Sequence, residues 1–446
     1  MKRTLTLIFT FTIFLSMAVS AMAGGPPPKD LLKGKFIEIN EVNRSVQFVK
    51  DGSYVAEAET LFLNNEMKTS DIKLNKKVMV TLDKHAGENV IGDISIMFMD
   101  LPLKKIGSLL LIGLIGGLLS GFIGSGGAFV MTPAMMTLGA PGAIAVASNM
   151  CHKFPKAMVG AFKRYKYGQV DIKLGLVMAV TAIVGVEIGI KMQKFILNTW
   201  GNAGSNLYVS VVFVGVLVVV GLIVARDAYK LSKGKSEATT PKLAKALMNL
   251  NIPPMMDFKV AKVRISAWVT IPVGLLTGML AATIAVGGFI GVPGMIYVIG
   301  ASAMVASATE LVVAFIMGCY GSVQWAVSGL VDIRMTLLIL AGSLVGVQLG
   351  ALGTTYVKDH IIKIVMASVM LIVAVSRGAK VPGYLADVGI MKALDPQITA
   401  LLNSVSFWAL ITALGSAGGL ITIFMIKGMI QARREEKQSV LESAHG

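Results

Sequence analysis

The sequence has few charged residues, few cysteines and few acidic groups relative to basic ones. Only 15% of its 446 residues are charged, whereas 54% are hydrophobic, and the mean hydropathy is +0.73. Soluble domains are about 25% charged, so this composition excludes an ordinary soluble protein and indicates a polytopic membrane protein. The two cysteines, Cys151 and Cys319, lie far apart in apolar segments. They give no indication of a disulfide framework.

The shortage of acids leaves a formal net charge of +16. Beside membrane-spanning helices, basic loops set the orientation of the chain, so no nucleic-acid partner is expected. Residues 226–264 contain nine Lys or Arg against three acids, and the tail adds Arg433, Arg434 and Lys437. Both segments are therefore expected in the cytoplasm.

The first hundred residues differ from the rest of the chain. Residues 1–23 contain two basic residues, an apolar core and an Ala-Met-Ala end. This pattern is typical of a secretory signal, with an uncleaved anchor as the alternative. Residues 24–103 alternate apolar and polar residues in short runs such as Ser45–Lys50 and Val90–Ile96. The alternation predicts a small β-domain on the extracytoplasmic side.

The apolar remainder contains an internal repeat. Five features recur at a single offset of 161 residues, which composition alone does not produce: Gly160, Gly168, Val170-Asp171, Gly185 and Gly189 recur as Gly321, Gly329, Val331-Asp332, Gly346 and Gly350. The repeat predicts the following segments: membrane repeat 1 at 104–231, a cytoplasmic basic linker at 232–263, membrane repeat 2 and the last helix at 264–430, and a cytoplasmic tail at 431–446. Loops are expected outside at 198–206 and 377–404.

Each repeat begins with an apolar run that glycines interrupt, at Gly116–Pro133 and Gly274–Pro293. In hydrocarbon, freed backbone groups must be covered by protein or water, and paired interruptions of this kind indicate a transporter's binding site. If both runs crossed the membrane, the basic tail would lie outside. If each run enters and returns to its own side, linker and tail are both cytoplasmic. The expected fold is therefore an all-α polytopic membrane protein of two inverted repeats with glycine-broken re-entrant helices, plus a small N-terminal extracytoplasmic β-domain.

The broken helices supply the first candidate site residues. A half-helix that starts at a break directs free N–H groups and the positive end of its dipole into the cavity, so an anion is the expected guest. The candidates for binding it are Gly124, Ser125, Gly126 and Gly127 in the first break and Thr283, Gly287 and Gly288 in the second. The alternative is that these glycines only allow close helix crossing.

A polar face follows the first break inside an apolar span. Asn149, Lys153 and Lys156 share one side of a helix by their i, i+4 and i+3 spacing, and could bind an anionic group. The alternative is that both lysines extend toward the cytoplasmic surface. Cys151 adjoins His152, but neighbouring residues on a helix point in different directions, so no catalytic pair is expected. No enzyme activity, cofactor or metal is predicted, and no oligomeric state is indicated.

Two carboxylates also fall inside apolar spans, Glu187 and Glu310. Either is a candidate for coupling, by exchanging a proton or holding a cation during transport. The alternative is a salt bridge to Lys153 or Lys191.

The motifs together resemble a known family. The text Gly121–Pro133, followed by Leu138–Pro141, Ala145–Ser148 and Gly168–Asp171, resembles the sulfite exporter TauE/SafE family of membrane permeases over residues 106–376. The resemblance implies transport of small anions such as sulfite, sulfoacetate or thiosulfate, without covalent chemistry. The two inverted repeats indicate a secondary transporter that works by alternating access, and the expected location is the inner or plasma membrane. The alternative is a membrane-anchored sensor or assembly protein that acts through its β-domain.

Overall fold

The structure is a computed structural model that describes residues 31–51, 53–64, 67–82, 89–96, 98–123, 127–233, 242–249, 252–353 and 359–445. The signal sequence predicted for residues 1–23 lies outside this part of the chain. So do parts of the predicted linker, 234–241 and 250–251.

The described N-terminal residues form a closed five-stranded barrel. Its strands are β1 (Leu31–Asn40), β2 (Ser45–Lys50), β3 (Glu59–Leu63), β4 (Lys77–Leu82) and β5 (Val90–Ile96). They are paired in the order β1-β2-β3-β5-β4, and only the β3–β5 pair is parallel. Phe36 and Phe48 fill the interior with their rings edge to face at 5.5 Å. The predicted β-domain is confirmed as a β-structured region.

The rest of the described chain is mostly helical. The helices are α1 (Leu103–Ile123), α2 (Ala128–Thr137), α3 (Gly142–Lys166), α4 (Ile172–Ser232), α5 (Lys242–Met248), α6 (Ala267–Ile284), α7 (Gly288–Gly294), α8 (Ala303–Val327), α9 (Ile333–Gly353), α10 (Asp359–Asp387) and α11 (Pro396–His445). Seven helices of the described chain are long and apolar enough to cross a membrane: α1, α4, α6, α8, α9, α10 and α11. The predicted polytopic helical architecture is confirmed at this level.

Two predicted loops are largely helical. In α4 the chain turns at Gly201, whose φ of 63° and ψ of −156° are not helical, and the flanking residues remain helical. Gln193 donates to Ser205 at 2.7 Å across this turn. Twelve residues span about 18 Å in a straight helix, so the chain must reverse here. The loop predicted at 377–404 was also wrong, because α10 continues to Asp387 and α11 begins at Pro396.

The barrel and the linker attach to different ends of the helical bundle. The linker carries a hairpin of β6 (Met255–Phe258) and β7 (Val263–Ser266). Asp171, at the start of α4, accepts hydrogen bonds at 3.0 Å from the amides of Val260 and Ala261 in this hairpin. On the barrel side, the Lys33 ammonium donates to the Ser328 carbonyl at the end of α8, at 3.4 Å.

The antiparallel packing of α3 against α8 shows that these two ends are opposite. A Cβ added at Gly160 would lie 3.2 Å from Leu311, and one at Gly321 would lie 2.2 Å from Met150. Early residues of one helix therefore face late residues of the other. The end of α3, near Asp171, and the end of α8, near the barrel, lie at opposite ends of the bundle.

Glycines bring two pairs of helices into backbone contact. A Cβ at Gly117 of α1 would lie 2.4 Å from the Ser343 carbonyl oxygen of α9, and one at Gly278 of α6 would lie 1.9 Å from that of Ala182 in α4. Gly278 follows Gly117 by 161 positions, and Ser343 follows Ala182 by 161 positions. The pairs α1–α9 and α6–α4 thus make the same contact at equivalent positions.

A pair of buried hydrogen bonds has the same relation. The Asp332 amide donates to the Ser148 hydroxyl at 3.0 Å, and the Asp171 amide donates to the Thr309 hydroxyl at 3.1 Å. Both donors and both acceptors are 161 positions apart. Each bond joins the start of a helix in one half of the chain to a hydroxyl in the other half.

Candidate functional site

The first break lies between α1 and α2. Of its four candidate residues, Gly124, Ser125 and Gly126 lie outside the described part of the chain. Gly127 precedes α2, and a Cβ added there would lie 1.5 Å from the carbonyl oxygen of Gly116. Only glycine allows the start of α2 to approach the backbone of α1 so closely.

The second break, between α6 and α7, is described completely. Ala285 ends α6 in the left-handed region, with φ of 60°, a conformation that glycine adopts without steric cost. A Cβ at Gly287 would lie 2.7 Å from the Thr277 carbonyl oxygen, and Gly288 is buried as the first residue of α7. As in the first break, the chain after the interruption lies against a residue well before it.

Thr283, the third candidate in this break, is buried near the end of α6. Its hydroxyl lies 3.5 Å from the Leu280 carbonyl oxygen, which is a long hydrogen bond. The Tyr208 hydroxyl of α4 approaches Thr283 but forms no hydrogen bond of ordinary geometry. Tyr208 is a site residue that sequence reasoning missed, because it lies in the second half of α4, far in sequence from both glycine breaks.

The two interrupted segments meet through their aromatic residues. Phe129 of α2 and Phe289 of α7 pack edge to face, with ring centroids 5.0 Å apart and planes at 88°. Both rings are fully buried, or nearly so. The structure therefore brings the described parts of the two breaks together.

Asn149 links the polar face of α3 to the first half-helix. Its amide nitrogen donates to the Ala128 carbonyl at 3.0 Å and to the Thr132 hydroxyl at 2.7 Å. Its side-chain oxygen, Oδ1, is buried without a hydrogen-bond partner, whereas its backbone carbonyl lies 2.8 Å from His152 Nδ1. A buried acceptor of this kind costs free energy unless something supplies a donor.

The next turn of α3 holds three basic groups. His152 is fully buried, with one ring nitrogen 2.8 Å from the Asn149 carbonyl and the other, Nε2, without a partner. Lys156 is half-buried and donates to Ser120 of α1 at 2.9 Å. Lys153 is only 9% exposed, so it does not extend to the surface.

Glu310 of α8 occupies the position equivalent to Asn149, 161 residues later. It is 2% exposed, and neither carboxylate oxygen has a hydrogen-bond partner. A Cβ at Gly291 of α7 would lie 2.2 Å from one of these oxygens, so the carboxylate lies directly against the second half-helix. It interacts electrostatically with Lys153 across a distance greater than the 4.0 Å of an ion pair.

Glu187 lies in a different environment from Glu310. It forms an ion pair with Lys191 at 3.2 Å and accepts a hydrogen bond from the Tyr320 hydroxyl at 2.9 Å. Its side chain is 34% exposed. The structure thus has the Lys191 salt bridge that the sequence left open for Glu187, and it does not bring the two carboxylates into contact.

Arg377 of α10 is a second buried polar residue that sequence reasoning missed, because it lies where a loop was expected. Its guanidinium is fully buried beside Thr137, the last residue of α2. The described residues contain no group of three His, Cys, Asp or Glu side chains that could hold a metal ion.

These features define a polytopic membrane protein with ionisable side chains buried beside two interrupted helices, a combination characteristic of membrane transporters. Residues 109–377 match the family model described as Sulfite exporter TauE/SafE. Since the match covers more than half of the chain, the chain belongs to this family of membrane transporters.

Two curated relatives come from Bacillus subtilis (strain 168). The probable membrane transporter protein YdhB is 22% identical over 253 residues, which cover 55% of this chain and 89% of that protein. The probable membrane transporter protein YjnA is 22% identical over 267 residues, which cover 59% and 96%. No solved structure matches the chain.

Proposed function

We propose that this protein is a secondary transporter of small anions, with sulfite, sulfonates and other sulfur-containing or organic anions as the substrate class. The observation that carries the proposal is the burial of Lys153 without an ion pair, on the helix that also holds unpaired polar atoms of Asn149 and His152 and within electrostatic range of Glu310. A buried ammonium without an ion pair is costly, and a bound anion would offset that cost. No covalent step is part of this function.

The framework of the proposal is a pair of inverted repeats with re-entrant half-helices. The contacts of Gly127 with Gly116 and of Gly287 with Thr277 support a chain that turns back after each break. The reciprocal hydrogen bonds of the two halves support a twofold relation between them. A repeat that rocks against its inverted partner provides alternating access around a fixed site.

In this proposal the anion binds between the breaks. The half-helix starts at Gly124–Gly127 and at Gly287–Gly288 supply backbone N–H groups, and Thr283 supplies a hydroxyl. Lys153 supplies the positive charge, with Lys156 and Asn149 on the same face of α3. Each N–H group forms a stronger hydrogen bond to the anion here than it would in water, because the surroundings have a low dielectric constant.

Coupling is assigned to the carboxylates. Glu310 is the preferred group, because it is buried, unpaired and within electrostatic range of Lys153. Protonation of Glu310, or a cation held there, would change the field that the anion experiences. Glu187 remains the second candidate, although its charge is already balanced by Lys191.

The proposed orientation places the barrel outside the cytoplasm and the linker hairpin inside. It follows from the basic linker and tail, and the attachment of barrel and hairpin at opposite ends of the bundle supports it. A sensor that uses the helices only as an anchor is the less favoured function. An anchor has no need of Lys153 and Glu310 in its interior.

Ligand stabilisation of the purified protein tests the proposal. Anions that bind the native state raise its unfolding temperature in proportion to the logarithm of their concentration. Sulfite, thiosulfate, sulfonates and small carboxylates would be screened against wild type, Lys153→Met and Lys163→Met. Lys163 is the matched control, since it is an exposed lysine of the same helix.

We expect at least one of these anions to stabilise wild type and Lys163→Met alike, while Lys153→Met requires a higher concentration for the same shift. Identical concentration dependence in all three proteins would remove Lys153 from the site. Stabilisation of none of them by any of these anions would contradict the proposed substrate class.

A further inference from the structure

We propose that Arg377 forms a second oxyanion site, at the end of α2 that faces the barrel side of the bundle. The central site lies at the start of α2, near Phe129, whereas Arg377 contacts Thr137 at its end. Ten helical residues span about 15 Å, so the two sites are separate. The presence of an oxyanion site at Arg377 does not depend on transport at the central site, and only the assignment of its ligand to the transported class rests on the proposed function.

The guanidinium of Arg377 has only part of its hydrogen-bonding capacity satisfied. One amino group donates to the Thr137 hydroxyl at 2.7 Å and lies 3.5 Å from the Ser406 hydroxyl. The Nε and the other amino group, Nη1, are buried without a partner. No carboxylate lies within 4.0 Å of Arg377 in the described part of the chain, so its charge is not balanced there.

The end of α2 does not pair with the remaining donors of Arg377. Its last carbonyls already accept from the chain itself: Ala134 from the Leu138 amide at 3.0 Å, Met135 from the Ala140 amide at 3.0 Å and Met136 from the Gly139 amide at 3.1 Å. The Pro133 carbonyl accepts from the Thr137 hydroxyl at 3.0 Å. The negative end of the α2 dipole favours a cation here, but it leaves the Nε and Nη1 of Arg377 without acceptors.

The surroundings suit an anion with several oxygens. Lys380 lies one turn after Arg377 on the same helix and donates to Asn403 of α11 at 2.6 Å, which places a second cation at this junction. The Ser376 hydroxyl donates to the Ser406 carbonyl at 2.7 Å and helps to fix α10 to α11. The unpaired Nε and Nη1 groups can each donate to an oxygen of a carboxylate, sulfonate, sulfite or phosphate anion.

Arg377 is enclosed in this conformation, so the anion would reach it when α10 and α11 move away from the end of α2. We assign the ligand to the transported class of small oxyanions. The phosphate of an anionic lipid has the same recognition chemistry, and the experiment separates the two sources.

The test uses the full-length protein in the Lys153→Met background, so that the central site contributes little. The unfolding temperature would be measured with methanesulfonate or thiosulfate at constant ionic strength, for this protein and with Arg377→Met or Lys392→Met added. Lys392 is an exposed lysine in the loop after α10 and serves as the charge-matched control.

We expect Arg377→Met to raise the unfolding temperature in anion-free buffer, because it removes an uncompensated buried charge, and to abolish the shift that the anion causes. The Lys392→Met control should keep that shift. A purely structural Arg377 would give the opposite pair of results, a lower unfolding temperature and an unchanged anion shift, and would overturn the proposal.

Arg377→Lys keeps the positive charge but lacks the planar guanidinium. It should need about a tenfold higher anion concentration for the same rise in unfolding temperature. If Arg377→Met does not fold, this variant carries the test, and an undiminished shift overturns the proposal. Native mass spectrometry would count bound phosphatidylglycerol in parallel. A count that falls with Arg377→Met, together with no response to the free anions, would replace the small anion by a lipid phosphate and overturn the assignment to the transported class.

Discussion

The close approach of α4 and α6 should make Gly278 intolerant of even one added methyl group. A Cβ at Gly278 would lie 1.9 Å from the Ala182 carbonyl oxygen, whereas ordinary contacts begin near 3.4 Å. The two backbones would therefore have to separate by roughly 1.5 Å. Gly117 should behave in the same way against α9, since its Cβ would lie 2.4 Å from the Ser343 oxygen.

The size of the effect follows from two opposing contributions. Overpacking of this kind costs about 1–3 kcal/mol, and replacing a helical glycine by alanine gains about 0.5–1 kcal/mol through lower chain entropy in the unfolded state. Gly278→Ala and Gly117→Ala should each lower the free energy of unfolding by about 0.5–2 kcal/mol. Gly107→Ala is the control, because nothing lies within 4 Å of its Cβ position in the exposed first turns of α1. This control should be stabilised by up to about 1 kcal/mol.

Equilibrium unfolding in mixed micelles, titrated with a denaturing detergent, measures all three variants. The decisive result is that Gly278→Ala and Gly117→Ala lower the free energy of unfolding, whereas Gly107→Ala raises it. If Gly278→Ala gained stability as Gly107→Ala does, the backbone contact between α4 and α6 would not exist as described.

Three further outcomes are expected in the same assay. Ala285→Gly should raise the free energy of unfolding by up to about 1 kcal/mol, because glycine adopts the left-handed conformation without strain; a loss would contradict that conformation. Ser148→Ala and Thr309→Val should each lower the free energy of unfolding by about 1–3 kcal/mol, because each leaves a buried amide unpaired. A variant with unchanged stability would contradict the hydrogen bond that it removes. Burial lowers the pKa of Lys33 from 10.5, and the nearby Lys194 lowers it further. The folded state therefore loses this proton at a lower pH than the unfolded state does. The free energy of unfolding should rise with pH between the lowered pKa and the unfolded value of about 10.4. Lys33→Met should flatten that rise, and an unchanged pH profile would show that Lys33 is not buried against α8.

The glycine pattern was the part of the fold most accessible from sequence. Contacts between backbones require glycine whatever the rest of the interface contains, so Gly185, Gly189 and their counterparts recur at one fixed offset. The β-domain was predictable for a similar reason, because one face of each strand must be apolar. Strand β3 carries only five residues, too few for the alternation to stand out.

The site was less predictable because its partners come from distant parts of the chain. Glu187 had two lysines within plausible reach, and only the folded chain shows that it pairs with Lys191. Arg377 fell at the start of the loop predicted at 377–404, a segment that contains Pro382-Gly383. Within a bundle a proline is tolerated in a helix when neighbouring groups satisfy the freed carbonyl, so α10 continues through that pair.

Uptake of a labelled anion into proteoliposomes tests whether Lys153 belongs to an anion transport site. The anion would be the one that stabilises wild type most strongly in the binding screen, and wild type, Lys153→Met and Lys163→Met would be reconstituted at equal density. We expect wild type and Lys163→Met to take up the anion, while Lys153→Met inserts normally and remains at the level of empty liposomes. Uptake by Lys153→Met at the wild-type rate would contradict the assignment of Lys153 to this site.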